Sequence, residues 1–525
     1  MSRIVVLSKT GLRLGSLPTE TDLDQYRIPS HIGSDGDFIV STLASIMASS
    51  FAPGFRRLLF QASITASGPS KFFVCNQYLR TAPRSVPSRV LNAVRSRSYA
   101  DAAASKSIGS IAEQASVRAS PSVSQAAKKA WPESNPKGVG LWLIGSAVSV
   151  FGIVVFGGLT RLTESGLSIT EWRPVTGSLP PMSKEDWESE FEKYRASPEF
   201  KLLNPHMDLE EFKKIYFMEW FHRVWGRFIG LTFVIPTAYL VARRKVTPKM
   251  ALNLAGISAL IGFQGIIGWW MVKSGLKDDL FAPGSHPRVS QYRLTTHLAT
   301  AFVCYSWMLV SGLTVLRTRR WVMNPEAAMK QIGEMSQPGL RTMRRVVFAL
   351  AALTFTTAMS GGLVAGLDAG LIYNEFPKMG LGIFPPKQEL FDKFYSRKED
   401  HSDLWWRNML ENPSTVQMNH RILAVTTFTS ILSLFIYART RRVKAILPIN
   451  IKKGANGLFH MVSLQVALGI STLIYMVPIS LAAAHQAGAL GVLTMALVLA
   501  HRLHIPKPTL RLLEKRLKAA AAAAK

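Results

Sequence analysis

The sequence predicts an all-α polytopic membrane protein: eight transmembrane helices arranged as two pseudo-symmetric parallel four-helix bundles. Three observations carry this. Eight apolar runs near the length that crosses a bilayer recur in a chain of 525 residues that is 48% hydrophobic and only 18% charged. Basic residues gather in alternate loops. Motifs of the first four runs return, in the same order, in the last four.

The N-terminal segment comes first. Residues 51–100 hold no Asp or Glu and eight Lys/Arg, with many Ser and Ala. Arg-rich, Ser-rich and acid-poor is the composition of an organelle transit peptide, so residues 1–100 are read as one. Arg97-Ser98-Tyr99-Ala100 resembles a mitochondrial processing site. Residues 1–46 fit less well, because Glu20, Asp22, Asp24, Asp35 and Asp37 are acidic. Met47 makes a better start, which points to an over-extended gene model. Residues 101–136 are Ala/Ser-rich and read as a disordered matrix segment.

The apolar runs cover residues 139–159, 224–241, 250–272, 294–316, 346–367, 422–437, 458–477 and 479–500. The sixth is short and borrows residues before His420. They divide into an N-terminal bundle (137–320), a matrix linker (321–345), a C-terminal bundle (346–504) and a basic matrix tail (505–525). The net charge of +29 could point to nucleic acid. The basic residues, however, lie in the N-terminal segment, the short loops and the tail, a pattern of topology and targeting. No nucleic-acid role is expected. Cys75 and Cys304 are the only cysteines, so no disulfide framework or Cys-rich metal site is available.

Loop charge sets orientation. The loops after runs 2, 4 and 6 are strongly basic. Residues 160–221 carry twelve Asp/Glu against eight Lys/Arg, and residues 367–418 carry eight against six. The positive-inside rule puts the basic loops and both termini in the matrix. Runs 2, 4, 6 and 8 then all begin on the opposite side. His222, His297, His420 and His485 lie at those beginnings, near one membrane face.

The repeat is explicit. Gly157-Gly158-Leu159, Glu164, Gly166-Leu167 and Glu171 match Gly361-Gly362-Leu363, Asp368, Gly370-Leu371 and Glu375. His222-Arg223 matches His420-Arg421, Gln264 and Gly268 match Gln465 and Gly469, and His297 matches His485. An even number of runs separates each pair, so the repeats are parallel. Two histidines on two helices can ligate one haem iron from both axial sides. Arg223 and Arg421 are candidates for binding the propionates. Glu219, three residues before His222, shares its helix face, whereas the counterpart before His420 is Gln417. A di-iron bundle needs two Glu-x-x-His motifs and two further glutamates, and this chain offers one motif. The asymmetry predicts two sites with different duties.

Taken together, Glu219-x-x-His222-Arg223, His420-Arg421, His297 and His485 on two parallel four-span repeats resemble the haem A synthase family of the mitochondrial inner membrane. The resemblance runs from about Gly138 to His504. It implies two oxidations of the haem O methyl at porphyrin C8, through a gem-diol, to the formyl group of haem A for cytochrome c oxidase. It implies that His222 and His297 hold the substrate haem O, and that His420 and His485 ligate a haem b cofactor. Glu219 would be the acid–base or charge-stabilising residue. Some bacterial members carry a cysteine pair in the first outer loop, which residues 160–221 lack. The implied electron partner is a matrix ferredoxin with its reductase. Haem O synthase, cytochrome oxidase assembly factors, membrane lipid and a second copy of the chain are further expected neighbours. The competing readings are a non-enzymatic di-haem electron carrier and a parallel-repeat transporter.

Overall fold

A computed structural model describes residues 130–277, 280 and 287–523. The transit-peptide reading (1–100) and most of the 101–136 segment lie outside the described residues. Eight of the described helices are long and apolar enough to cross a membrane. We label them α1 (Lys137–Leu162), α2 (Leu209–Ala242), α3 (Pro248–Val272), α4 (Gln291–Met323), α5 (Leu340–Gly366), α6 (Pro413–Tyr437), α7 (Ile449–Ile474) and α8 (Ile479–Leu503). The described residues contain no strand, only an isolated bridge between Met379 and Gly382.

Several helices outrun their apolar runs, and the caps explain where they start. α6 begins at Pro413, where the Asn412 side chain accepts from the backbone N–H of Ser414 and Thr415. The short sixth run therefore does borrow the residues before His420. α7 starts at Ile449, well before residue 458, because Lys452 and Lys453 interrupt the apolar pattern without breaking the helix. α2 starts at a capping box formed by Asp208 and Glu211. Its first turns pack on helix Lys184–Arg195 through Phe191, Tyr194, Phe212 and Tyr216, all buried. Phe212 stacks on Phe191 and Tyr194, with ring centroids at 4.9 and 5.3 Å. This small aromatic core holds the N-terminal half of α2 beyond its apolar run.

Neighbouring helices close a ring in each half: α1, α2, α3 and α4, then α5, α6, α7 and α8. The halves meet where α4 packs on α5 and α8 packs on α1. Apolar burial does not drive helices together in lipid, so close packing of small residues matters more. A Cβ on Gly312 of α4 would stand 2.9 Å from the Gly140 carbonyl oxygen of α1.

The linker and tail are more ordered than their composition indicates. Residues 321–345 include helix Pro325–Met335, which buries Ala328, Ile332 and Met335. The tail forms helix Lys507–Ala523, which buries Leu513. Lys515 and Arg516 of the tail pair with Glu133, at 2.5 and 3.4 Å. Asn135 accepts from the Thr247 backbone N–H at 2.9 Å. The end of the segment expected to be disordered is therefore tied down.

Two outcomes follow from this packing. Gly312→Val should push α1 from α4 and cost about 1–3 kcal/mol, read as a lower thermal midpoint in detergent. The second concerns Glu199, on helix Pro198–Leu203, which is 5% exposed. It accepts from the Tyr194 hydroxyl at 2.9 Å. Burial, above all, raises its carboxyl from 4.5 to about 8, helped by the charges of Glu219 and Glu164. The folded chain thus binds a proton that the unfolded chain releases above about 4.5. Thermal stability should fall as pH rises from about 4.5 to about 8, and Glu199→Gln should flatten that slope.

Candidate functional site

His222, His297, His420 and His485 sit on α2, α4, α6 and α8, each toward the end served by the connections 163–208, 273–290, 367–412 and 475–478. Each ring lies over a glycine of a neighbouring helix. A Cβ on Gly157 (α1) would stand 2.5 Å from Cε1 of His222, and one on Gly361 (α5) would stand 3.1 Å from Cε1 of His420. A Cβ on Gly268 (α3) would stand 3.2 Å from Cε1 of His297, and one on Gly469 (α7) would stand 2.7 Å from Cε1 of His485. These four glycines are the repeat-matched pairs of the sequence. The second glycine of each Gly-Gly pair faces the other half: Gly158 meets Gln486 of α8, and Gly362 meets Thr295 and Leu298 of α4. Glu164 and Asp368, matched in sequence, both adopt left-handed backbone, with φ of 50° and 52°.

The structure brings His420 and His485 together, with ring centroids 6.5 Å apart and planes at 87°. Metal–imidazole bonds are about 2 Å, so two axial imidazoles on one iron place their centroids about 6 Å apart. The pair fits that demand. The Ser360 hydroxyl donates to the Thr357 carbonyl at 2.7 Å, which leaves its oxygen to accept from Nδ1 of His420, also at 2.7 Å. Nε2 is then the free coordinating nitrogen. The Gln465 amide donates to the His485 carbonyl at 2.9 Å and lies 3.1 Å from its Nδ1. Gln264 donates to the His297 carbonyl at 2.8 Å. Both glutamines thus brace a histidine-bearing helix. In the first half, Nδ1 of His222 and of His297 is buried with no partner among the described residues.

Glu219 is 4% exposed. Its Oε2 accepts from the Ser168 hydroxyl and the Ile169 backbone N–H, both at 2.8 Å. Its Oε1 accepts from Arg223 Nη2 at 2.6 Å and from Arg223 Nε at 3.1 Å. Arg223 also donates to the carbonyls of Ile169 and Glu171. In the second half, Gln417 donates to the carbonyls of Ala369 and Tyr373. Arg421 donates to Gln417 and to the carbonyls of Tyr373 and Lys378. One arrangement serves both halves, with a carboxyl group in the first and an amide in the second. Sequence reasoning misses Ser168, Ser360 and the four glycines as site residues. Repeat-matched Gly-Gly and Gln-x-x-x-Gly motifs are the available signal.

A profile of the COX15-CtaA family, described as cytochrome oxidase assembly protein, matches residues 140–497. The chain belongs to this family. "Heme A synthase COX15" of Saccharomyces cerevisiae is 53% identical over 388 residues, which cover 72% of this chain and 79% of that protein. "Heme A synthase COX15" of Homo sapiens is 43% identical over 372 residues, or 70% and 83% of the two chains. The "Heme A synthase-mitochondrial ferredoxin fusion protein" of Schizosaccharomyces pombe is 51% identical over 372 residues, 70% of this chain and 60% of the fusion.

The glycine seats give a direct expectation. Gly157→Val and Gly361→Val should each displace one imidazole and remove about half of the haem that copurifies. Gly145→Val, whose Cβ meets nothing within 4 Å, should retain all of it. Pyridine haemochrome content per protein measures this.

Proposed function

We propose that this chain is a haem A synthase that oxidises the C8 methyl of haem O to the formyl group of haem A for cytochrome c oxidase. The observation that carries the reading is the set of four imidazoles on glycine seats, present in a member of a family whose relatives bear that name. It excludes neither half from binding a porphyrin, and it gives the halves different surroundings.

His420 and His485 hold the haem b cofactor. Their separation and the Ser360 contact favour a site already set for a resident group. Haem b, when bound, supplies one-electron transfer between the reacting haem and an outside partner. His222 and His297 hold the substrate. Their Nδ1 atoms have no partner among the described residues, which suits rings that adjust as haem O arrives and haem A leaves. Glu219, on the same helix face as His222, supports the reaction through its charge. Its two oxygens accept from Ser168, Ile169 and Arg223, which fixes the carboxyl in place, so stabilising positive charge that develops on the oxidised methyl carbon is the favoured role. Arg223 and Arg421, held by the loop carbonyls, would bind the porphyrin carboxylates.

The ring of contacts in each half supports two parallel four-helix bundles. The basic loops support both termini in the matrix and the histidines near the intermembrane-space face, in the mitochondrial inner membrane, with residues 1–100 as the transit peptide. The fission-yeast fusion to a mitochondrial ferredoxin supports a matrix ferredoxin as electron partner. The carrier and transporter readings leave the Glu219–Gln417 difference without a purpose.

Reconstitution tests this. Full-length protein supplied with haem O, dioxygen and a reduced ferredoxin system should form haem A, identified by mass. Glu219→Gln should keep both haems and lose about 100-fold in rate. Unchanged conversion in that variant would remove Glu219 from the mechanism. A porphyrin-free wild-type preparation would overturn the synthase reading.

A further inference from the structure

Beside Arg223, the connection after α1 and the C-terminal end of α3 line a half-open cavity of about 280 Å³. Trp172, Arg223, Trp269 and Lys273 line it. It lies level with the first-half imidazoles, because Arg223 follows His222 and Trp269 follows Gly268, the seat of His297. Trp172 and Trp269 have ring centroids 6.3 Å apart. The Lys273 ammonium lies 5.3 Å from the Trp269 ring centroid. Glu171, also on the wall, is matched by Lys193 at 3.2 Å and by Arg173. Among the described residues Lys273 makes no ion pair, so the described wall adds a cation to Arg223.

The second half lacks this chemistry. The register that pairs Gln264 with Gln465 and Gly268 with Gly469 sets Ile470 and Ile474 opposite Trp269 and Lys273. The register that pairs Glu171 with Glu375 sets Phe376 opposite Trp172. Arg421 is retained, but the tryptophan pair and the lysine are not. A lysine beside a tryptophan pair therefore belongs, among the described residues, only to the half that carries Glu219.

We propose that this cavity is a subsite for the carboxylate-bearing edge of the substrate tetrapyrrole. Lys273 and Arg223 meet its carboxylates, and Trp172 and Trp269 flank the edge of the macrocycle. The volume is small for a ligand pocket and suits an edge with two short acidic chains, with the rest of the ring between the helices. This inference rests on the reading that the first half takes the substrate. A lipid phosphate would offer the same anionic chemistry, and the test separates the two.

The experiment uses full-length protein in detergent, in a His420→Ala background, so that only first-half binding is read. Haemin and its dimethyl ester are titrated separately by Soret absorbance. Lys273→Gln should weaken haemin binding about tenfold, equivalent to about 1.4 kcal/mol, and leave the ester unchanged. The double variant Trp269→Ile, Lys273→Ile, which copies the second half, should weaken both ligands. Rising salt should weaken haemin in the parent and less so in Lys273→Gln. Equal haemin affinity in Lys273→Gln, or an equal loss for acid and ester, would overturn the proposal. Phosphatidic acid micelles that compete only with the parent, with haemin affinity unchanged by Lys273→Gln, would make the cavity a lipid site and overturn it too. His222→Ala separates the two levels. Loss of haemin there with no effect of Lys273→Gln sinks this subsite alone, whereas haemin binding that survives His222→Ala sinks the first-half haem reading itself.

Discussion

An imidazole can reach into the seam between two packed membrane helices only where the facing helix carries no Cβ. Here that condition is met four times, by Gly157, Gly268, Gly361 and Gly469. Any larger residue at these positions would have to push the ring or the helix aside, and close-packed interiors resist both. The neighbouring glycines Gly158 and Gly362 bring the two halves into contact at the same level. The Gly-Gly pair of each half therefore joins two tasks: one residue seats a histidine, and the next lets the opposite half approach. The 6.5 Å separation of His420 and His485 follows from this geometry.

On that shared frame the two halves diverge at a few positions. In the first, a buried carboxylate at Glu219 requires a cation and backbone donors, and Arg223, Ser168 and Ile169 supply them. Breaking such a buried pair costs several kcal/mol, so Glu219 and Arg223 hold the loop after α1 as well as the local charge. In the second, Gln417 still accepts from Arg421 but donates to the loop carbonyls of Ala369 and Tyr373, with no charge. His420 and His485 have Nδ1 partners, whereas His222 and His297 have none among the described residues. Trp269 and Lys273 stand where the second half has isoleucines. A prearranged site for a resident group and a looser, charged site for a ligand that comes and goes would differ in this way.

Much of the fold is legible in the sequence because apolar length is a strong signal: six of the eight long helices contain their expected runs, and α5 and α7 end one and three residues short of theirs. The level of the four histidines can be read from loop charge, since alternate helices must begin on one side. Helix starts are less legible. Lys452 and Lys453 hide two turns of α7, because a single composition window cannot tell a basic helix end from a loop. The aromatic core of Phe191, Tyr194, Phe212 and Tyr216 is not visible either, as its residues belong to separate elements with no common period. The state of Glu219 depends on Ser168 and Ile169, some fifty residues away in sequence. The same limit hides the glycine seats, although the matched Gln264/Gly268 and Gln465/Gly469 pairs carry a trace of them.

The assignment of two porphyrin sites to two histidine pairs is tested most directly by pigment extraction and mass analysis of His222→Ala and His420→Ala proteins purified from cells that make haem O. His222→Ala should lose haem O and its oxidised products and keep haem b. His420→Ala should lose haem b and keep the substrate-derived haem. Loss of the same haem from both variants would contradict the two-site assignment.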